Sequence, residues 1–549
     1  MISRYVVIYL VGFVTTMLAA VAGYCCFNRS KVMACLRGKP SFLTSVIVFS
    51  SVFFVIFSVM KDLTVISHHS YLDYAVFLEY FKNVAAGKGL YASIQENAIP
   101  GSGYWFSAHF TPITYFFSVL FWLCPSFHTI NWSQTFFLAL SSVILYEMAR
   151  GRIGAFGAMC LSVAHLLNPT LQYITLYEFE CLRFIIPIGI LALGIILATD
   201  SAGTILLACL PILLIREDAA FFVFGIGLYL LLVQRKHVIG AFVMAFSILY
   251  LIVIIQFVMP SFRGTENYVH VAAGSFQDFG TSVPDIIGYI LQQPLKFLAH
   301  LFHPYKSANY YMLLLPFLFV PLFSVAILLI AMPTAVVLSF SSAQTHSSYF
   351  LYYVSPILVT VAWAAVIGTK NVVRWVNRKE RLRDILARRR PITVERVAFS
   401  VLCGAVACSV YFGPSPLSIQ FWNKDFSLAP FRTTTFYRDR YRPTTHDAVM
   451  RKIARLIPDE ASISTEQVLL QDVYRCKSIY VFPNIEKADY VLIDKKNPRK
   501  AYISDNPQRY YDWVEKRPDV FELVKYEDGV QLYRRRPDAP PYPQPKCSS

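Results

Sequence analysis

The sequence predicts a mostly α-helical, polytopic membrane protein of about twelve spans that ends in a small soluble α/β domain. Three observations carry this prediction. Of the 549 residues, 56% are hydrophobic and only 15% charged, with mean hydropathy +0.48, whereas an ordinary soluble chain carries about 25% charged residues. Apolar runs of membrane length recur from Tyr5 to Phe412, separated by loops that alternate between basic and mixed composition. After Gly413 the long runs stop and short strand-like and amphipathic segments replace them.

The formal charge of +16 reflects topology rather than a nucleic-acid partner. Ten Lys and Arg lie between Lys370 and Arg396, flanked by apolar runs, as expected of a cytoplasmic loop facing anionic headgroups. The eleven cysteines are scattered without a CxxC pair, so neither a zinc site nor a disulfide framework is indicated.

The spans follow in order. Residues 5–27 form a first span, and the basic segment with Arg29, Lys31, Arg37 and Lys39 places the N-terminus outside. Span 41–60 then delivers an outer loop, 61–130, holding an amphipathic helix around Asp73 and Glu79 and a 13-residue apolar stretch, 112–124. As a helix that stretch reaches only about 20 Å, too short for a hydrocarbon core of about 30 Å, so it lies along the interface. Spans 131–149, 153–172 and 184–199 follow, the last two joined by the loop YITLYEFECLRF, which carries Glu178, Glu180 and Arg183.

The next run is interrupted by Arg216, Glu217 and Asp218. A single Asp at a helix centre costs roughly 2.5–3.5 kcal/mol on the insertion scale, so two short helices, 203–215 and 219–233, meeting at a recessed polar apex fit better. Span 238–259, a second outer loop 260–307 with an amphipathic helix from Pro284, a Pro-punctuated pair 308–322 and 323–340, then spans 349–368 and 397–412 complete the count; His346 falls on the outer side. Residues 1–412 thus form the membrane domain and 413–536 a soluble α/β domain on the outer face, while the Pro-rich 537–549 is an unstructured tail. The expected location is the cytoplasmic (inner) membrane, with the C-terminal domain periplasmic or extracellular.

Several motifs also occur in a known family. Asp73 with Phe77, then His109, Phe110 and Pro112, then the Arg216, Glu217, Asp218 triplet, then Tyr480 to Pro483 with Asp489, Tyr490 and Val491, resemble an uncharacterised family of bacterial and archaeal multi-pass membrane proteins within the GT-C glycosyltransferase superfamily. The resemblance implies transfer of a sugar from a polyprenyl-phosphate-linked donor to an outer-face acceptor such as a glycan, lipid or protein. A divalent cation remains open as cofactor, and no residue set is assigned to a metal. Where the family often carries Asp-Phe-His-Pro, this chain has Glu178, Phe179, Glu180 and Cys181, so the His that a metal or general-base role there would need is missing.

The chemistry fits the residue types. An ionised Asp73 can take the proton of an attacking hydroxyl, although an Asp at this position can equally cap the helix it begins. His109 is the second catalytic candidate. Arg183 and Arg216 could hold a leaving phosphate, with Glu217, Asp218, Glu178, Glu180 and His346 as further substrate contacts. Two other function classes stand beside the enzyme. A transporter or flippase also uses broken helices, but such folds carry paired repeats and none is visible. A non-catalytic envelope assembly protein could keep the same fold.

Overall fold

The computed structural model describes residues 2–28, 41–70, 72–98, 102–263, 275–280, 283–300, 303–379, 392–426, 428, 436–496 and 507–539. The basic segments at 29–40 and 380–391 and most of the Pro-rich tail, 540–549, lie outside them.

The membrane part is helical throughout: α1 Ile2–Cys26, α2 Phe42–Ile66, α3 Leu72–Ala85, α4 Ser93–Ala98, α5 Thr114–Leu123, α6 Phe127–Ile153, α7 Ala155–Leu166, α8 Pro169–Leu176, α9 Ile185–Ile196, α10 Ala202–Leu213, α11 Ala220–Leu232 and α12 His237–Val253. There follow α13 Val283–Gln292, α14 Pro294–Ala299, α15 Pro304–Leu314, α16 Met332–Phe340, α17 Ser355–Arg378 and α18 Val394–Phe412.

Six helical stretches among the described residues are long and apolar enough to cross a membrane: Val6–Cys26, Phe42–Ile66, His237–Ser261, Val320–Phe340, Tyr352–Arg378 and Val394–Phe412. These six do not confirm the expected count of twelve, because several of the expected spans are divided into shorter apolar helices, for local reasons. The span expected at 153–172 divides into α7 and α8 because the Asn168 side chain accepts from the Thr170 amide and Pro169 opens the next helix, a pairing that caps a new helix and ends the old one. The run around Arg216 is two short helices, α10 and α11, as the charges demand. At 308–322 the chain breaks into 3-10 turns at Pro316 and Pro321, with Leu318 and Phe319 at φ 53° and 58°. Helix α6 has the length to span but buries Asn131, Gln134, Thr135, Ser141 and Ser142.

Helix α2 continues six residues past its expected end at 60, carrying Lys61 and Asp62 into buried positions. Asp62 repays that burial by accepting from Asn131 Nδ2 (2.9 Å), Trp132 Nε1 (2.7 Å) and His128 Nδ1 (2.8 Å), as a buried carboxylate requires. Helices α11 and α12 pair closely enough that a Cβ on Gly227 would sit 2.9 Å from the Gly240 carbonyl oxygen, which restricts both positions to glycine. The interfacial helix expected at 112–124 is α5, with Tyr115, Phe116, Val119, Trp122 and Leu123 exposed.

The C-terminal domain has a first helix, α19 Thr445–Ala454, opened by a capping box between Thr444 and Asp447, a helical turn at Leu470–Val473, a later helix, α20 Pro507–Glu515, whose Tyr511 and Val514 are buried, and a five-stranded sheet. Its strands β1 Ser462–Thr465, β2 Ser478–Val481, β3 Tyr490–Asp494, β4 Phe521–Glu527 and β5 Val530–Arg535 take the order β2-β1-β3-β5-β4. The first three are parallel, and the β4–β5 hairpin turns at Asp528 and Gly529, both at positive φ, as a tight hairpin turn requires.

This domain docks on α3, α4 and the end of α2. His68 bridges Asp447 (2.9 Å) and Asp472 (2.6 Å). Lys82 Nζ donates to the Cys476 carbonyl (2.7 Å), Arg440 to that of His69 (2.8 Å), and the Ile479 amide to Ser93 Oγ (2.8 Å).

Candidate functional site

Five separate chain segments converge beside the docked domain: the start of α3, the turn 104–111, the loop 177–184, the apex 216–218, and 341–353. Aromatic packing sets the first two. Phe77 lies 4.8 Å from both Trp105 and Phe179, Trp105 stands 5.4 Å from His109, and its Nε1 donates to Thr111 Oγ1 at 2.8 Å. Carboxylates then tie distant segments together through backbone amides. Glu178 Oε2 accepts from the Tyr74 amide at 3.0 Å, and Glu217 Oε2 from the Phe110 amide at 2.8 Å.

Arg216 is the hub of the apex. Its Nε donates to Asp218 Oδ1 (2.8 Å), a second bond joins its Nη2 to Asp218 Oδ2, and Nη1 reaches Glu180 Oε1 (3.2 Å). The guanidinium also lies 5.4 Å from the ring centres of Tyr352 and Tyr353. This forked pairing satisfies a cation that is 1% exposed, as burial of a charge demands.

His109 Nδ1 meets Glu217 Oε1 at 2.7 Å. Burial alone would depress this imidazole, but the Glu217 charge and hydrogen bond outweigh it and hold the pKa above the usual value. With Nδ1–H donating to Glu217, protonation puts a second N–H on Nε2. His346 has the opposite character: burial, aided by the Arg216 charge, lowers it to about 4, and its Nδ1 pairs with Ser341 Oγ at 2.7 Å.

Asp73 sits in the first turn of α3. It remains solvent-accessible, yet the surrounding protein desolvates it and, with the Glu180 charge, pushes its carboxyl up to about 6 against the opposing pull of His109. Asp73 is therefore open to solvent on one side and closely surrounded by protein on the others.

Asp73, His109, Glu180, Arg216, Glu217, Asp218 and His346 thus share one electrostatic neighbourhood. Glu178 and Arg183 lie beneath it. Arg183 is fully buried and donates to the carbonyls of Ile174 (2.7 Å) and Tyr177 (3.1 Å), its guanidinium 5.6 Å from the Tyr177 ring centre. Sequence reasoning did not single out Tyr177, Tyr352 or Tyr353, which flank the two arginines. The aromatic run beside His346 was the available signal.

Among the described residues the donor set holds no ready-made site for a divalent cation: no three His, Cys, Asp or Glu side chains converge at ligating distance, and both Asp218 oxygens and both Glu217 oxygens already have donors.

A family model described as "Predicted membrane protein (DUF2079)" matches residues 68–529. The chain belongs to this family. No curated protein matches it. Among solved structures, this DUF2079 protein is similar to ArnT from Cupriavidus metallidurans bound to undecaprenyl phosphate, with TM-score 0.50 and 13% identity over 91% of this chain and 99% of that one. It is also similar to the Archaeoglobus fulgidus oligosaccharyltransferase tethered with an acceptor peptide, with TM-score 0.40 and 14% identity over 84% of this chain and 68% of that one. The fold resembles that of ArnT.

Proposed function

We propose that this DUF2079 protein is a membrane glycosyltransferase that moves a sugar from a polyprenyl-phosphate-linked donor to an acceptor hydroxyl at the non-cytoplasmic face. The observation that carries the reading is Asp73, an accessible carboxylate raised to about 6 that has no hydrogen-bond partner among the described residues, beside a histidine whose protonated form is favoured by its own carboxylate, Glu217. The similarity to a structure that holds undecaprenyl phosphate supports the donor class.

In this reading Asp73 is the general base. As the acceptor oxygen bonds to the anomeric carbon, its proton passes to Asp73 and the bond from that carbon to the phosphate oxygen breaks. His109, oriented through Nδ1 by Glu217, presents Nε2–H to the phosphate. Arg216 adds positive potential from beneath, partly offset by Asp218 and Glu180. Asp218, His346, Tyr177 and Tyr353 line the remaining walls, where an aromatic face can stack on a sugar. Arg183 and Glu178 support the floor.

Lipid mass spectrometry on purified wild type, Asp73→Asn and Asp73→Glu tests this. Enrichment of a polyprenyl-phosphate sugar in Asp73→Asn is the expected result, because donor binds without turnover. A folded Asp73→Asn that transfers sugar at the wild-type rate overturns the assignment.

A further inference from the structure

The second polar loop carries a surface that the site chemistry does not use. Helices α13 and α14 expose Ile287 (53%), Leu291 (76%), Leu295 (81%) and Leu298 (49%). Ile287 and Leu291 are one turn apart on α13, and Leu295 and Leu298 one turn apart on α14, so each helix carries an exposed apolar edge on its own side of the break at Gln293 (φ −134°, ψ 54°), and these two edges together are the ridge. The other side of the pair is fixed in place. Phe297 stacks on Phe340 with centroids 3.7 Å apart, and Phe279 packs edge-on against Tyr289, Phe297 and Phe340.

That anchorage sits at the end of a membrane-length helix, Val320–Phe340. The same helix exposes Val325 (68%), Met332 (42%) and Val336 (43%) on the way to Phe340, and a membrane helix turns such side chains to lipid. The ridge therefore continues an apolar surface already committed to the bilayer. Lys296, exposed on the same pair, is suited to a headgroup phosphate.

We propose that the ridge Ile287, Leu291, Leu295, Leu298 is a membrane-docking surface whose occupant is the acyl layer of the leaflet nearest the site. Docking there bears on the site through a short chain of contacts. The Ser275 carbonyl accepts from the Ser342 amide (2.6 Å) and from Ser341 Oγ (3.2 Å), the Asp278 amide donates to Ser342 Oγ (3.1 Å), and Ser341 Oγ is also the partner of His346. A ridge seated on lipid holds the wall that carries His346.

The test places the photoreactive residue p-benzoylphenylalanine singly at Leu291, Leu295, Gln292 and Leu456 in the full chain. Each variant is reconstituted in nanodiscs of phosphatidylcholine and phosphatidylglycerol, illuminated and weighed intact. Gln292 samples a different face of α13, and Leu456 is an exposed leucine of the C-terminal domain. Phospholipid adducts at 291 and 295, lost at 292 and 456, are expected. Adducts of the ridge positions to a second copy of the chain, or no more lipid adduct than at Leu456, overturn the proposal. All four positions are exposed, and a monodisperse elution profile for each variant establishes folding independently of the crosslink.

Discussion

Replacing His68 with Asn should loosen the C-terminal domain from the membrane domain without unfolding either. His68 is 1% exposed and lies at φ 53°, a backbone conformation that Asn tolerates better than most residues, so the change removes the bridge without imposing new strain. Burial alone would lower the imidazole, but the Asp447 and Asp472 carboxylates on its two nitrogens outweigh this and raise it from 6.5 to about 9. At about 1.4 kcal/mol per pH unit, that shift corresponds to about 3 kcal/mol of docking free energy, or roughly a hundredfold in an opening equilibrium. The sign follows from linkage. A folded pKa above the unfolded one gives stabilisation that is fully present below the unfolded value of 6.5 and is lost as pH rises through about 9. Hydrogen exchange of amides in 445–473, corrected for intrinsic rates, should show about a hundredfold loss of protection in His68→Asn at neutral pH. The wild type should lose the same protection between about pH 7 and about pH 10. Equal protection in both proteins, with no pH dependence in the wild type, would refute the reasoning.

Four further outcomes follow from the site. The transfer rate of the wild type should rise with pH through about 6 as Asp73 ionises, and Asp73→Asn should abolish that limb along with activity. Glu217→Gln removes the charge that holds His109 up; the imidazole should titrate below its usual value by NMR, and the rate should fall by about 10² or more, the usual scale of acid–base assistance. Arg216→Ala strands Asp218 and Glu180 without their cation and should cost about 3–5 kcal/mol, visible as a lowered thermal midpoint in detergent. Glu79→Ala leaves the amides of Ser93 and Ile94 without their acceptor; each orphaned amide costs about 1–3 kcal/mol, so exchange in α4 should quicken while α3 stays protected.

Much of the architecture is legible because it rests on local rules. Apolar run length identifies α1, α2, α12 and α18, and period-two alternation with an Asp-Gly turn identifies the terminal hairpin. The cost of Arg216, Glu217 and Asp218 in lipid is enough to break the hairpin on paper. Where the reading overshot, the missing physics was also local: Asn168–Pro169 divides one expected span, and α2 overruns its apolar stretch because Asp62 finds three donors on α6. The pairings of the site are another matter. That His109 would meet Glu217 108 positions away, or that Tyr353 would face Arg216, depends on tertiary packing that no periodicity encodes. Arg183 illustrates the same limit, since its sequence context matches a solvent-facing loop while its guanidinium is enclosed by carbonyls and tyrosine rings.

The carboxylate-to-amide ties of the first polar loop have a consequence for biogenesis. The Tyr74 amide is held by a residue 104 positions later and the Phe110 amide by one 107 positions later, while His68 finds Asp447 and Asp472 only 379 and 404 positions on. A ribosome feeding this chain into a membrane delivers the loop long before its partners exist. Between those moments the loop has its own aromatic contacts but not its anchors, so the site is assembled in stages, first when the 177–184 loop brings Glu178, then when the 216–218 apex is inserted, and last when the C-terminal domain folds. A nascent chain stalled before Glu217 should therefore carry Asp73 in an unfinished setting, and residues made hundreds of positions later complete the surroundings of this loop.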